Sequence, residues 1–198
     1  KSAPKKLEKW DALHQGVGVS YSNGILSLFN LSGGVGRYIT LDDMTKADPT
    51  VNLTLDRFEE DMKTSGVTLT TLSESALIDK MYEYFNKQSY FSYLYDLSQV
   101  SQTVNQTLVR KGGDCEDFGL FFLSLLRGEF ARLGNTSITS RLGLAFASVD
   151  NNAAISSTNR GGGHASVVYK SNTDGQYYYI DASFIFLGSG ADSARPVP

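Results

Sequence analysis

Residues 112–130 read GGDCEDFGLFFLSLLRGEF, and this stretch decides how the rest of the chain is arranged. Phe118, Leu120, Phe121, Phe122, Leu123, Leu125, Leu126 and Phe130 leave no polar stripe when wound at 3.6 residues per turn. A helix that is apolar on every side has to be buried among other elements, so this one is expected at the centre of the core. Asp114 stands where an N-cap belongs, and Asp117 three residues on resembles the second half of a capping box. Gly134 predicts the stop. Cys115, the one cysteine of the chain, therefore falls at the start of the most buried helix.

Downstream, the pattern changes from helical to alternating. ITSRLGLAFA (residues 138–147) reads as a strand, and residues 150–163 as a polar, glycine-rich loop. HASVVYK (164–170) and YYYIDAS (177–183) flank SNTDGQ, whose Asp174-Gly175 predicts a β-hairpin. Upstream, Ser73 starts a helix with Leu77, Ile78, Met81, Tyr82 and Phe85 on its apolar face. Residues 89–96 (SYFSYLYD) are strand-like, and a polar stretch links them to Gly112. Leu55 to Met62 predicts a helix capped by Thr54 with Phe58 and Met62 on one face. Asn23-Gly24 between two apolar runs predicts a second hairpin, and Leu7, Trp10, Ala12 and Leu13 a short amphipathic helix. Helices first, then the buried helix, then an antiparallel sheet make an α+β protein.

Composition narrows the function classes. With 198 residues, one domain with a substantial core is expected. A net charge of −3 and scattered Lys and Arg give no electrostatic footprint for nucleic acid. No apolar run reaches the length of a membrane span. A single cysteine excludes an internal disulfide and any cysteine-rich metal site. No serine-hydrolase elbow, phosphate loop, HExxH or dinucleotide fingerprint occurs.

What remains is a thiol, an imidazole and a carboxylate on fitting elements. Cys115 starts the central helix, His164 starts one strand, and Asp181 ends its hairpin partner. These are the three groups that nucleophilic cysteine catalysis requires. Unpaired N–H groups at a helix start favour a thiolate and can hold an oxyanion. His164 would take and return the proton, and Asp181 would orient the ring. The plainer reading of each residue alone is a core cysteine, a strand histidine and a strand-end cap. Core cysteines rarely follow Gly-Gly-Asp at a helix start, and the conjunction favours the enzyme. The three acids around the thiol work the other way, raising its pKa by like-charge repulsion. Tyr90, Tyr93 and Tyr95 are candidates for a side-chain oxyanion donor.

GGDCEDFGLFFLSLLR, GGGHASVVYK and YYYIDAS resemble the Cys, His and Asp boxes of the transglutaminase-like superfamily. The likeness covers residues 73–183, and DCED is most similar to the bacterial transglutaminase-like cysteine proteinases. It implies a papain-like α+β core over residues 71–198, with residues 1–70 as an extension packed on it. It implies Cys115 as nucleophile, His164 as base and acid, and Asp181 as orienting carboxylate. Some such proteinases trim surface adhesins in the periplasm, which implies an exported protein with a protein or peptide substrate. Those enzymes need calcium, and Asp114 and Glu116 match the acids implicated in holding it. Gly119 stands where alanine is common in the family, a change expected to be harmless. The alternatives are a transamidase with the same triad, or a binding module that keeps the fold without turnover.

Overall fold

The computed structural model describes residues 8–9, 20–22, 25–27, 49–87, 91–94, 102–148 and 163–183. Four α-helices are described: α1 (Pro49–Thr64), α2 (Glu74–Lys87), α3 (Val104–Arg110) and α4 (Cys115–Arg132). The strands are β1 (Glu8–Lys9), β2 (Ser20–Ser22), β3 (Ile25–Ser27), β4 (Ser92–Tyr93), β5 (Gly112–Gly113), β6 (Leu142–Ser148), β7 (Gly163–Lys170) and β8 (Tyr177–Ile180). Six of them form one sheet in the order β1-β8-β7-β6-β3-β2, while β4 and β5 pair separately. The protein is thus a mixture of helix and sheet.

The central helix α4 runs from Cys115 and buries all but a few of its side chains, as its sequence predicts. Asp117 Oδ2 accepts the backbone N–H of Asp114 (3.2 Å), which closes the capping box from the helix side. Gly134 ends it with φ +78°, a backbone region that glycine enters without a Cβ clash. One face of α4 lies on β7 and β6, and the other meets α1. Gly119 permits the close approach to the sheet, because a Cβ there would overlap Leu144 Cδ1 of β6. Alanine, common at this position in the family the sequence resembles, would need Leu144 to shift, whereas glycine fits as the structure stands.

The surrounding elements follow from their own patterns. In α2, Ser73 Oγ accepts the Ala76 N–H (3.2 Å), and Leu77, Ile78, Met81, Tyr82 and Phe85 are buried. β7 and β8 form the predicted hairpin, with Lys170 opposite Tyr177. β2 and β3 pair across Asn23-Gly24, with Ser22 opposite Ile25. One hydrophobic cluster runs from Val51 on α1 to Ala182 beyond β8.

Several expectations need correction. The helix expected from Thr54 begins at Pro49, whose fixed φ and missing N–H suit a first helical position. Thr54 sits inside it, its hydroxyl donating to Thr50 O (2.8 Å). The polar stretch before Gly112 contains α3, capped by a reciprocal Thr103–Gln106 box. The strand expected from Ile138 begins at Leu142, preceded by a 3₁₀ segment Thr136–Arg141. At Glu8–Lys9, where an amphipathic helix was expected, a strand pairs with Tyr178 and Tyr179. The sheet is not wholly antiparallel, since β3 runs parallel to β6. Of residues 89–96, Ser92 and Tyr93 are strand; residues 88–90 and 95–101 lie outside the described residues, as do 149–162. No helix among the described residues is long and apolar enough to cross a membrane.

Candidate active site

Cys115 reaches its place because β5 feeds α4 with no intervening loop. β4 and β5 run parallel, with Tyr93 opposite Gly113, and Leu94 N–H donates to Gly113 O (2.8 Å). Asp117 anchors the next layer. Its Oδ1 accepts the Gln102 backbone N–H (2.7 Å), its Oδ2 accepts Gln102 Nε2, and Arg110 donates to Gln102 Oε1 (3.1 Å). The start of the helix is therefore tied to residues 102–110 by charge-assisted bonds, each worth roughly 1.5–3 kcal/mol. Gln102 carries no local sequence signal, because its partner is fifteen residues away.

The thiol is buried but its neighbours are polar. Cys115 is 8% exposed, and its Sγ–H donates to Glu116 Oε2 (3.3 Å). One potential ligand atom each from Asp114, Cys115 and Glu116 fall within 4.8 Å of one another. Burial first, then the Glu116 charge, pushes the thiol above its ordinary range. The Ala165 backbone N–H faces the sulfur and opposes that rise. The helix start does not win: at rest this is a protonated thiol bonded to a carboxylate, not the thiolate that a helix N-terminus alone favours.

His164 is the second residue of β7, with its backbone opposite Ala147. It immediately precedes Ala165, whose N–H meets the sulfur, so strand β7 crosses the start of α4 at this residue. Asp181 follows the last residue of β8. Val167 pairs with Ile180, so continuing that register puts Asp181 opposite Ser166, two residues along β7 from His164. Asp181 Oδ1 accepts the Ser183 N–H (3.0 Å). The buried Tyr82 phenol is pushed up by burial and then by the Asp181 charge, so α2 closes over this end of the hairpin. Helix start, strand start and strand end thus meet in one region of the backbone.

Tyr93 completes the surroundings of the cysteine. Its ring lies on Phe118 (centroids 6.3 Å apart), three residues after Cys115, and burial, then the nearby Cys115, Asp114 and Glu116 charges, push its phenol up. Tyr90 and Tyr95 lie outside the described residues. An open cleft of about 530 Å³ lined by Glu59, Lys63, Thr68, Thr70, Arg132 and Leu133 is at the opposite end of α4 from Cys115.

At that far end a second acid is buried. Glu129 is fully enclosed, and neither carboxyl oxygen has a hydrogen-bond partner among the described residues. Burial, with the Glu59 charge added, pushes it up to about 7, while Arg132 bonds Asp56 (2.7 Å) and Glu59 (3.0 Å) above it. A folded-state pKa above the unfolded value means stability that is complete at acid pH and falls as pH rises through about 7. Glu129→Gln should therefore match the parent near pH 4 and exceed it by about 2–3 kcal/mol at pH 8.5. Urea melts at the two pH values measure this; equal parent and variant stability at pH 8.5 would count against a buried, protonated Glu129.

No family model, curated protein or solved structure matches the chain.

Proposed function

We propose that this protein is a cysteine peptidase or amidase of the transglutaminase-like kind, with a papain-like core and a Cys115-His164-Asp181 triad. The supporting observation is the Ala165 N–H facing the Cys115 sulfur, which brings the strand of His164 to the start of the cysteine helix. In this reading His164 takes the thiol proton as sulfur attacks a carbonyl carbon. The carbonyl π pair moves to oxygen, then returns as the C–N bond breaks and His164 gives its proton to the departing amine. Water repeats the sequence on the thioester and frees the enzyme. Asp181 keeps the imidazole in the productive tautomer and stabilises its charged form.

Hydrolysis and amine transfer share these steps and differ in which nucleophile takes the acyl group. Incubation of candidate proteins with a dansylated amine separates them: fragments alone support the peptidase, and incorporated dye the transamidase. An exported setting and a protein or peptide substrate belong to the same proposal.

Calcium fits the acids in part. Asp114 and Glu116 offer carboxylate oxygens close enough to share one ion, but calcium takes six to eight oxygens and two side chains supply a minority. Asp114 and Glu116 would hold the ion, and its positive charge would offset the carboxylates that keep the thiol protonated. Removing calcium with EGTA is expected to lower the melting temperature and the rate of ester acylation together. Unchanged values of both would remove calcium from the account.

A further inference from the structure

Away from Cys115, the last turns of α4 are bound closely to α1. Gly128 allows the approach, since a Cβ there would overlap Leu55 Cδ1. Arg132, four residues on, grips one face of α1. Its Nη1 donates to Asp56 Oδ1 (2.7 Å) and Glu59 Oε1 (3.0 Å), and its Nη2 to Asn52 O (3.1 Å) and Asn52 Oδ1 (3.4 Å). Between Gly128 and Arg132 stands Glu129, with no exposed surface and no hydrogen-bond partner for either carboxyl oxygen among the described residues. A carboxyl so enclosed stays neutral unless a cation reaches it, because an unpaired buried charge costs far more than an unpaired hydroxyl. Burial and then the Glu59 charge push its pKa up to about 7.

The charged groups at this end of α4 are few. On α1 they are Asp56, Glu59 and Lys63, and on α4 itself Arg132. The 3₁₀ segment ends at Arg141, which is held by Glu74 of α2 (2.7 Å) and Lys170 O (3.0 Å). On β7, Lys170 keeps its ammonium over the Tyr177 ring (5.4 Å), and β6 carries no charged residue. Strand β5 and helix α3 pack at the Cys115 end. Of the cations left, Lys63 lines the open cleft, whereas Arg132 follows Glu129 at i+3 on the same helix face, the spacing at which an acid and a base meet. We propose that Glu129 and Arg132 form a pH-operated latch. With Glu129 protonated, Arg132 holds Asp56 and Glu59; once Glu129 gives its proton to solvent, Arg132 turns to it and its ties to α1 are lost. Attraction of Arg132 to the new carboxylate and repulsion between that carboxylate and Glu59 act in the same direction. Glu59 and Arg132 both line the cleft, so the change loosens one of its walls. The latch lies at the other end of α4 from Cys115 and does not depend on the cysteine chemistry.

A double-mutant cycle on the whole chain, run by urea melts at low salt, tests the exchange of partners, because the cycle cancels changes in overall stability. One arm is Arg132→Gln, and the other carries Asp56→Asn with Glu59→Gln. At pH 5.5 the arms should be coupled by about three- to tenfold in the folding equilibrium constant, as two partly exposed ion pairs allow. At pH 8.5 the coupling should vanish in the parent and persist in a Glu129→Gln background. Equal coupling at the two pH values in the parent overturns the latch, as does no coupling at pH 5.5. Loss of coupling at pH 8.5 that survives Glu129→Gln overturns it too, since another group would then be titrating.

Discussion

Cys115→Ala is expected to lower the melting temperature by no more than a few degrees and to lose turnover by roughly 10⁴-fold or more. The substitution removes one sulfur from a site whose other walls stay intact: Asp114, Glu116, the Tyr93 hydroxyl and the Ala165 N–H. It also takes the Sγ–H donor from the buried Glu116 carboxylate, a loss of about 1 kcal/mol that a melt reads as a shift of a few degrees. His164→Ala should cost as much, because without a base the thiol stays protonated in surroundings that already hold its proton. Asp181→Asn keeps an oxygen for the Ser183 N–H and should still lose about 10²–10⁴-fold, the penalty for a misoriented imidazole. Initial rates on a peptide amide, read beside thermal melts, check all three. Full turnover by Cys115→Ala would refute the enzyme reading.

Gly119→Val should destabilise the packing of α4 on the sheet by about 3 kcal/mol. The cause is local: even one added carbon overlaps Leu144 Cδ1, and both residues are enclosed. Relief can come only from helix α4 lifting off β6 or from Leu144 leaving its place. A paired variant tests the mechanism. Leu144→Ala alone should cost about 2–5 kcal/mol through the cavity it leaves. In the double variant Gly119→Val/Leu144→Ala the valine fills part of that cavity, so the loss should fall at least 1 kcal/mol short of the sum. Additive losses in urea melts would mean the two residues do not meet. Lifting α4 would also carry Cys115 away from Ala165, so Gly119→Val should lose activity as well as stability.

The parts of the fold that were legible are those whose signals are local. The all-round apolar run fixes α4 as central, Asp114 with Asp117 sets its start, and Asp174-Gly175 sets the β7–β8 hairpin. Where tertiary pairing decides, the sequence is a poor guide. Glu8–Lys9 sits in a short amphipathic pattern but becomes a strand because the edge of β8 is there to receive it. The parallel pairing of β3 with β6 joins residues more than a hundred positions apart, and no periodicity records it. Helix α3 did leave a mark, the Thr103–Gln106 capping box, but its seven residues are too few and too polar to show a periodic face.

The candidate site divides in the same way. Cys115 stands out because Gly-Gly-Asp precedes it at a helix start, and the acids beside it predict the raised thiol that burial then reinforces. Tyr93 is one of three tyrosines in six residues, and only its register against Gly113 singles it out. Gln102, which braces Asp117, and Glu129, an enclosed acid in a helix end that looks charged and wet, depend on packing from distant segments.

The most direct measurement is mass spectrometry of the chain quenched in acid while it turns over p-nitrophenyl acetate, followed by digestion. The account predicts one acetyl group, carried as a thioester by the peptide that contains Cys115, and its disappearance as the reaction completes. Ester turnover with Cys115 never acylated, or acetyl groups found only on lysines, would contradict it.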